Sequence, residues 1–332
     1  MGKSPKILRL SMSSIKKYLD CPMQWYFNYI LKIPSKTDYP RLCGSEVHKF
    51  IAGLYKKHSD DRKFWYKSID SAKGAWFVTW NKALDRDAGK ILQPDKKAAN
   101  DFGGNGWVCI DRYWKQNIDK PKPILIEKKY TIPLFAGVEL TGVFDQLRTV
   151  QLPWLKARRP EIFVGEDISP EYDPYLIVDL KTGWSNYNIK EDDSDNEKVR
   201  KQIAIQLDIQ AAAYALLYKK HHNGKYPAGF LLYYLREGSV NNTFFVKGDS
   251  KESQIILESN VQHVVTNIRN ESFPRKISNQ CARCDYYMEC RPNGNISVSL
   301  PGEIPDSVKT EKEEPAEKFV QLKLKFKKER RS

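Results

Sequence analysis

The chain has 332 residues with 41% hydrophobic content, enough to bury a full core as one decorated domain or as a core with an inserted helical region. Its net charge of +14 points to a polyanionic partner, nucleic acid or an anionic membrane face, and bears on partners rather than on fold. No apolar run approaches membrane-spanning length and the start, MGKSPKILRL, lacks the apolar core of a secretory signal, so a cytoplasmic protein with no membrane partner is expected.

In chain order, Ser11-Met12-Ser13-Ser14 offers N-cap hydroxyls to a helix with an apolar stripe of Ile15, Tyr18, Leu19, Trp25, Tyr26, Tyr29 and Ile30. The stripe breaks at Cys21-Pro22, which places Cys21 at a helix boundary. From Gly44 to about Trp114, aromatics and lysines recur at helical spacing, with Gly103-Gly104-Asn105-Gly106 read as a break, so several helices are expected beside the core. That glycine run is no phosphate loop, because it lacks a following Lys-Ser/Thr and a preceding apolar strand.

The character changes at Ile124. Three strands are read around Ile124-Leu125-Ile126, Val138 to Asp145, and Tyr175 to Lys181. The long connection before the last of these carries Lys156, Arg158 and Arg159 and then the acidic Glu166 to Asp173, and reads as a surface insertion. A helix from about Val199 to His221, a strand at Gly229 to Leu235 and a last helix from roughly Glu252 to Asn270 follow. After about Ser297 the composition of Pro, Glu, Lys and Ser supports no core of its own. The expected organisation is a single domain over 1–296, with a helical region at about 44–120, a core at about 121–270 and a cysteine cap at 271–296. Residues 297–332 form a disordered basic tail in this reading.

The six cysteines are clustered rather than spread. In Cys281-x2-Cys284-x5-Cys290 three thiolates can turn around one centre, and Cys21 supplies a fourth vertex if the fold brings the chain's ends together, although Cys43 and Cys109 are also available. Four thiolates suit a structural zinc or a [4Fe-4S] cluster, and spacing alone does not separate the two from each other or from ordinary buried cysteines. In the strands, Asp179 and Lys181 flank Leu180 and so share a face, with Asp145 at the end of the preceding strand. Two carboxylates on neighbouring strands suit Mg²⁺ or Mn²⁺, and a lysine one pleat away can hold the attacking water and offset charge on a phosphate.

Taken in order, Gly44-x3-His48, Gly142-Val143-Phe144-Asp145, Val178-Asp179-Leu180-Lys181-Thr182-Gly183 and Gln210-Ala211-Ala212-Ala213-Tyr214 resemble the motifs of the RecB-like branch of the PD-(D/E)XK nucleases. The cysteine layout is similar to the iron–sulfur nucleases of that branch, including the AddB nuclease domain and the CRISPR adaptation exonucleases. The resemblance implies an α/β fold with a mixed central sheet flanked by helices, the restriction-endonuclease-like core, plus an N-terminal helical region. It implies that His48, Asp145 and Asp179 hold the catalytic Mg²⁺ or Mn²⁺ with the Leu180 carbonyl, that Lys181 positions the water, and that Gln210 and Tyr214 line the nucleic-acid groove. It further implies a [4Fe-4S] cluster on Cys21, Cys281, Cys284 and Cys290, and product ends of 5′-phosphate and 3′-hydroxyl. The second acid, Asp179, stands where Glu is an alternative.

The function expected on this resemblance is a metal-dependent DNA exonuclease acting on single strands or duplex ends in recombination, repair or replication. The alternatives are a non-catalytic DNA-binding module of the same fold and a CRISPR-associated trimming nuclease. With no Gly-x4-Gly-Lys-Ser/Thr loop in the chain, any helicase is a separate protein. In the tail, Gln321-Leu322-Lys323-Leu324-Lys325-Phe326 resembles a sliding-clamp-binding peptide, in which Gln321, Leu322, Leu324 and Phe326 would meet a hydrophobic pocket; the alternative is a basic segment that touches phosphates.

Overall fold

The computed structural model describes residues 7–56, 66, 68–92, 94–135, 137–185, 193–237 and 243–290; the clamp-like segment at Gln321 to Phe326 lies outside them. The chain divides into two units, Met1–Lys276 and Ile277–Ser332. In the first, strand β1 (Leu8–Ser11) leads into helix α1 (Met12–Asp20), capped by Ser11, whose hydroxyl accepts the Ser14 N–H at 3.1 Å. Cys21 ends that helix, and Pro22, with no N–H to satisfy, opens α2 (Pro22–Tyr29). Three longer helices follow: α3 (Tyr39–Lys56), α4 (Ile69–Asp87) and α5 (Lys96–Asn117). Strands β2 (Leu125–Phe135) and β3 (Val138–Thr149) then form a hairpin that turns through Gly137, whose φ of 71° is left-handed.

Helix α6 (Leu152–Lys156) and the small hairpin β4 (Phe163–Val164) and β5 (Asp167–Ile168) connect to β6 (Tyr172–Lys181). The unit closes with α7 (Asp195–Gln206), α8 (Ile209–His221), β7 (Tyr226–Tyr234), β8 (Thr243–Val246) and α9 (Lys251–Arg269). In the second unit the described residues hold a 3-10 turn (Asn279–Arg283) and α10 (Tyr287–Cys290). No helix among the described residues is long and apolar enough to cross a membrane.

The sheet is mixed, in the order β1-β3-β6-β7-β8, with β2 on β3. Because β2 takes one edge of β3 along nearly its whole length, the other edge is shared: β1 pairs in parallel with Val138 to Thr141, and β6 pairs antiparallel with Gln146 to Thr149. Residues 142–145 of β3 therefore have a ladder on one edge only. Asp145 was expected at a strand end; the strand continues to Thr149, and what ends at this point is the pairing with β6.

Each face of the sheet carries its own core. On one, α1, α8 and α9 bury Ile15, Tyr218 and Val264 against Leu140, Phe144, Ile177 and Phe230. Helix α8 comes close because its run Ala211, Ala212, Ala213 is small and β3 offers Gly142: a Cβ there would stand 2.7 Å from Leu217 Cδ1 and 2.9 Å from Tyr214 Cε1. Gly142→Val is expected to destabilise by about 1–3 kcal/mol through overpacking, measured as a lower denaturant midpoint at unchanged slope. An unchanged midpoint would show that α8 is free to shift.

The other face holds α3, α4 and α5 over Val178, Leu180, Tyr233 and Leu235. Here α5 runs unbroken through Gly103 to Gly106, where a break was expected. A Cβ at Gly103 would lie 2.6 Å from Trp80, and one at Gly106 would run into the Trp76 ring and lie 3.0 Å from Cys43 Sγ. The two indoles stack at 6.1 Å and donate their N–H groups to the carbonyls of Gly103, at 2.8 Å, and Ala99, at 2.9 Å. Each glycine costs the helix about 1 kcal/mol against alanine, which burial of a whole indole outweighs.

Two other expectations differ from the structure. The helix predicted from Val199 to His221 is two helices, because the Asp208 carboxylate accepts the N–H groups of Gln210, at 2.7 Å, and Ala211, at 3.2 Å, and so starts α8 afresh. The insertion between β3 and β6 has a small core of Leu155 and Ile162 against Leu176 and Ala228, and Arg159, expected at the surface, is buried within it.

Candidate active site

The gap in the sheet is where the chemistry gathers. Beyond the rung Gln146↔Val178 strands β3 and β6 part, and the Asp145 carboxylate takes the place of the lost ladder bond: its Oδ2 accepts the Leu180 N–H at 2.7 Å. Asp145 and Asp179 thus face each other across the opening. Asp179, 4% exposed, accepts a hydrogen bond from Gln210 Nε2 on Oδ1 at 2.8 Å. Its Oδ2 is approached by the Lys181 ammonium at 2.5 Å but accepts no well-formed hydrogen bond. The pleat places Lys181 beside Asp179, as its spacing predicted.

Gln210 is the hinge of this half of the site. Its position in the first turn of α8 is set by the Asp208 cap, and its amide oxygen faces two ammonium groups, Lys181 at 3.5 Å and Lys16 of α1 at 3.4 Å. Tyr214, one turn on, is interior rather than groove-lining. Its ring is 7% exposed and packs between Phe144 and Phe230, so only the hydroxyl, bonded to Gln210, turns toward the carboxylates.

His48 arrives from the other layer. Gly44, four residues earlier and on the same face of α3, would place a Cβ 2.9 Å from Thr182 Oγ1, so its missing side chain lets the helix approach the end of β6. His48 Nδ1 then lies 3.4 Å from Asp145 Oδ2. Burial works against its imidazolium, but the hydrogen bond and charge of Asp145, with Asp179 and Glu127 adding, outweigh it and hold the pKa above the ordinary value. Burial raises the pKa of Asp179; Lys181 opposes the shift and the neighbouring Asp145 adds to it.

A sequence model described as PD-(D/E)XK nuclease superfamily matches residues 9–153 and 168–291. The chain belongs to the PD-(D/E)XK nuclease superfamily. No curated protein matches it. The chain is also similar to a crystal structure named "Putative exonuclease" from Eubacterium rectale, at 13% identity and a TM-score of 0.46, over 89% of this chain and 92% of that one.

PD-(D/E)XK nucleases are hydrolytic and use divalent metals, and this chain presents a carboxylate and histidine site that fits one. The donors are hard oxygens and one imidazole, the set that a Mg²⁺ or Mn²⁺ accepts. Among the described residues, the one group of three or more potential ligands gathered within 4.8 Å is His48, Asp145 and Glu127. Glu127 escaped the sequence reading, as did Lys16. The register supplies Glu127 only once the strands are paired: with Ile132 opposite Leu140, residue 127 falls opposite residue 145.

The cysteines of the predicted cluster fall in both units. Cys21 stands between α1 and α2 in the first unit. In the second, the N–H of Cys284 reaches the Cys281 carbonyl at 3.1 Å and that of Cys290 the Tyr286 carbonyl at 2.8 Å. None of the four is in a disulfide.

Proposed function

We propose that this nuclease is a Mg²⁺- or Mn²⁺-dependent DNA exonuclease that acts on single strands or duplex ends in recombination, repair or replication. The observation that carries the reading is the pairing of His48 with Asp145 and of Lys181 with Asp179, residues 133 apart at the extremes by their numbering, where β3 and β6 part. In this reading His48, Asp145 and Asp179 hold the cation, with the Leu180 carbonyl as a further ligand. When bound, such a cation makes a water molecule more acidic and neutralises charge on the phosphate. Lys181 holds the attacking water and offsets the charge that builds on the phosphoryl oxygens. Gln210 fixes both Asp179 and Lys181 from the start of α8, and Tyr214 backs Gln210 from the core. The products are 5′-phosphate and 3′-hydroxyl ends. The net charge of +14 supports DNA as the partner, with affinity that falls steeply as salt rises.

The test is incubation of end-labelled single-stranded DNA, duplex DNA and RNA with Mg²⁺ or Mn²⁺, with EDTA, and with Lys181→Met. Progressive loss of DNA label that EDTA stops and that Lys181→Met slows by about 10²-fold or more supports the reading. Tight DNA binding with no cutting under any condition would overturn it in favour of a non-catalytic module, and internal cuts alone would remove the exonuclease part. A [4Fe-4S] cluster on Cys21, Cys281, Cys284 and Cys290 belongs to the proposal on the resemblance to the iron–sulfur nucleases of this branch, and no step depends on it. Iron and acid-labile sulfide in anaerobically purified protein support it; bound zinc without iron ends it. Association with a clamp through Gln321 to Phe326 and with a separate helicase stands on the same footing, tested by retention on immobilised clamp before and after deletion of 319–332.

A further inference from the structure

We propose that Glu127 is a ligand of the divalent cation held at His48 and Asp145, an inference that rests on the nuclease reading above. The first support is geometric. His48, Glu127 and Asp145 each offer one ligand atom, and the three atoms lie within 4.8 Å of one another, a spacing that a single hard cation can span.

The second support is that the backbone goes out of its way to put Glu127 there. Pairing between β2 and β3 keeps one register from Leu125↔Leu147 to Ile132↔Leu140, so residues 127 and 145 face each other at a single rung. At that rung both strands break the two-residue alternation. On β3, Phe144 and Leu147 both enter the core under α8, and on β2 Leu125 and Tyr130 both pack there, although each pair is an odd number of residues apart. Glu127 itself has φ of 50°, the left-handed region that a branched or long side chain seldom occupies. The distortion turns the two carboxylates out of the pleat and toward His48. An outlier of this kind at a candidate site calls for a role, and a regular strand with any polar residue at 127 would have served packing alone.

Charge supplies the third support. Glu127 and Asp145 repel each other at this distance. A divalent cation relieves both. Glu127 is exposed while Asp145 and His48 are partly buried, so Glu127 would meet the cation from the solvent side.

The experiment is Mn²⁺ binding to the full chain, read by electron paramagnetic resonance and calorimetry without DNA. Glu127→Gln keeps the size and removes the charge, Glu127→Gly suits the left-handed backbone, and Asp145→Asn is the control. Both Glu127 variants are expected to weaken Mn²⁺ binding by about tenfold or more while melting in EDTA at or above the parent temperature. Parent affinity in either Glu127 variant, with binding lost in Asp145→Asn, overturns the role of Glu127 and leaves the nuclease site standing. Parent affinity in all three variants removes the metal site itself.

Discussion

Asp179→Asn is expected to reduce cleavage by at least about 10³-fold while leaving the fold intact and DNA binding equal to or tighter than that of the parent. The amide is isosteric, and its oxygen can still accept the Gln210 Nε2 hydrogen bond now made by Oδ1 at 2.8 Å. What disappears is one full negative charge in a site where burial already holds that carboxyl above its usual range, against the pull of Lys181. Lys181 loses its partner but is 32% exposed at its side chain, enough for water to solvate the ammonium. Stability therefore changes little. Repulsion toward a phosphate falls, which favours binding, and the site loses the oxygen donor that completes it, which stops turnover. Single-turnover cleavage, fluorescence anisotropy and a thermal melt read the three quantities separately. Cleavage within about tenfold of the parent would remove Asp179 from the active site.

The largest effect on stability is expected far from that site, at Arg159. Its guanidinium, 3% exposed at the side chain, donates to Asp249 Oδ2 at 2.9 Å, to the Ala228 carbonyl at 3.1 Å and to Glu161 Oε1 at 3.2 Å, and stacks 5.3 Å from the Tyr172 ring centre. Asp249 is 7% exposed and otherwise accepts only the Tyr172 hydroxyl, at 2.7 Å, among the hydrogen bonds that hold this corner. Arg159→Ala strands that carboxylate in the interior and is expected to cost about 3–5 kcal/mol, a fall of about 10 °C in Tm. The double change Arg159→Met, Asp249→Leu should recover most of the loss, because it removes the charge as well as its partner. Cleavage by the folded fraction should be unchanged. A Tm within about 3 °C of the parent for Arg159→Ala would show that the pair is solvated.

Strands β3 and β6 were legible from the apolar runs at Val138 to Asp145 and Tyr175 to Lys181, whereas β2, read only around Ile124 to Ile126, runs on to Phe135 through a lysine-rich stretch with no such run. Short elements were not legible: β1 has four residues, of which only Leu10 is buried, and β8 follows residues with no strong alternation. The glycine run in α5 misled because glycine is ordinarily a breaker, and its partners, Trp76 and Trp80, lie more than 20 residues earlier on another helix. At the site, His48, Asp145, Asp179, Lys181 and Gln210 were named from ordered motifs; the structure sets His48 beside Asp145, and Lys181 and Gln210 on Asp179. Glu127 belongs to a rung whose irregularity only the pairing reveals, and Lys16 reaches Gln210 from a helix with no motif of its own.

His48 belongs to the helical layer, whereas Asp145 and Asp179 belong to the sheet, and only the seating of α3 on β6 through Gly44 brings them within reach. A cation shared between the two layers is therefore also a fastener between them. Its binding energy adds to the cohesion of the tryptophan-packed helices with the strands, and whatever loosens that packing weakens the ion's hold without altering a single ligand. The nuclease thus senses the integrity of its own architecture: a molecule whose layers have slipped apart is, for the same reason, one that has laid down its metal.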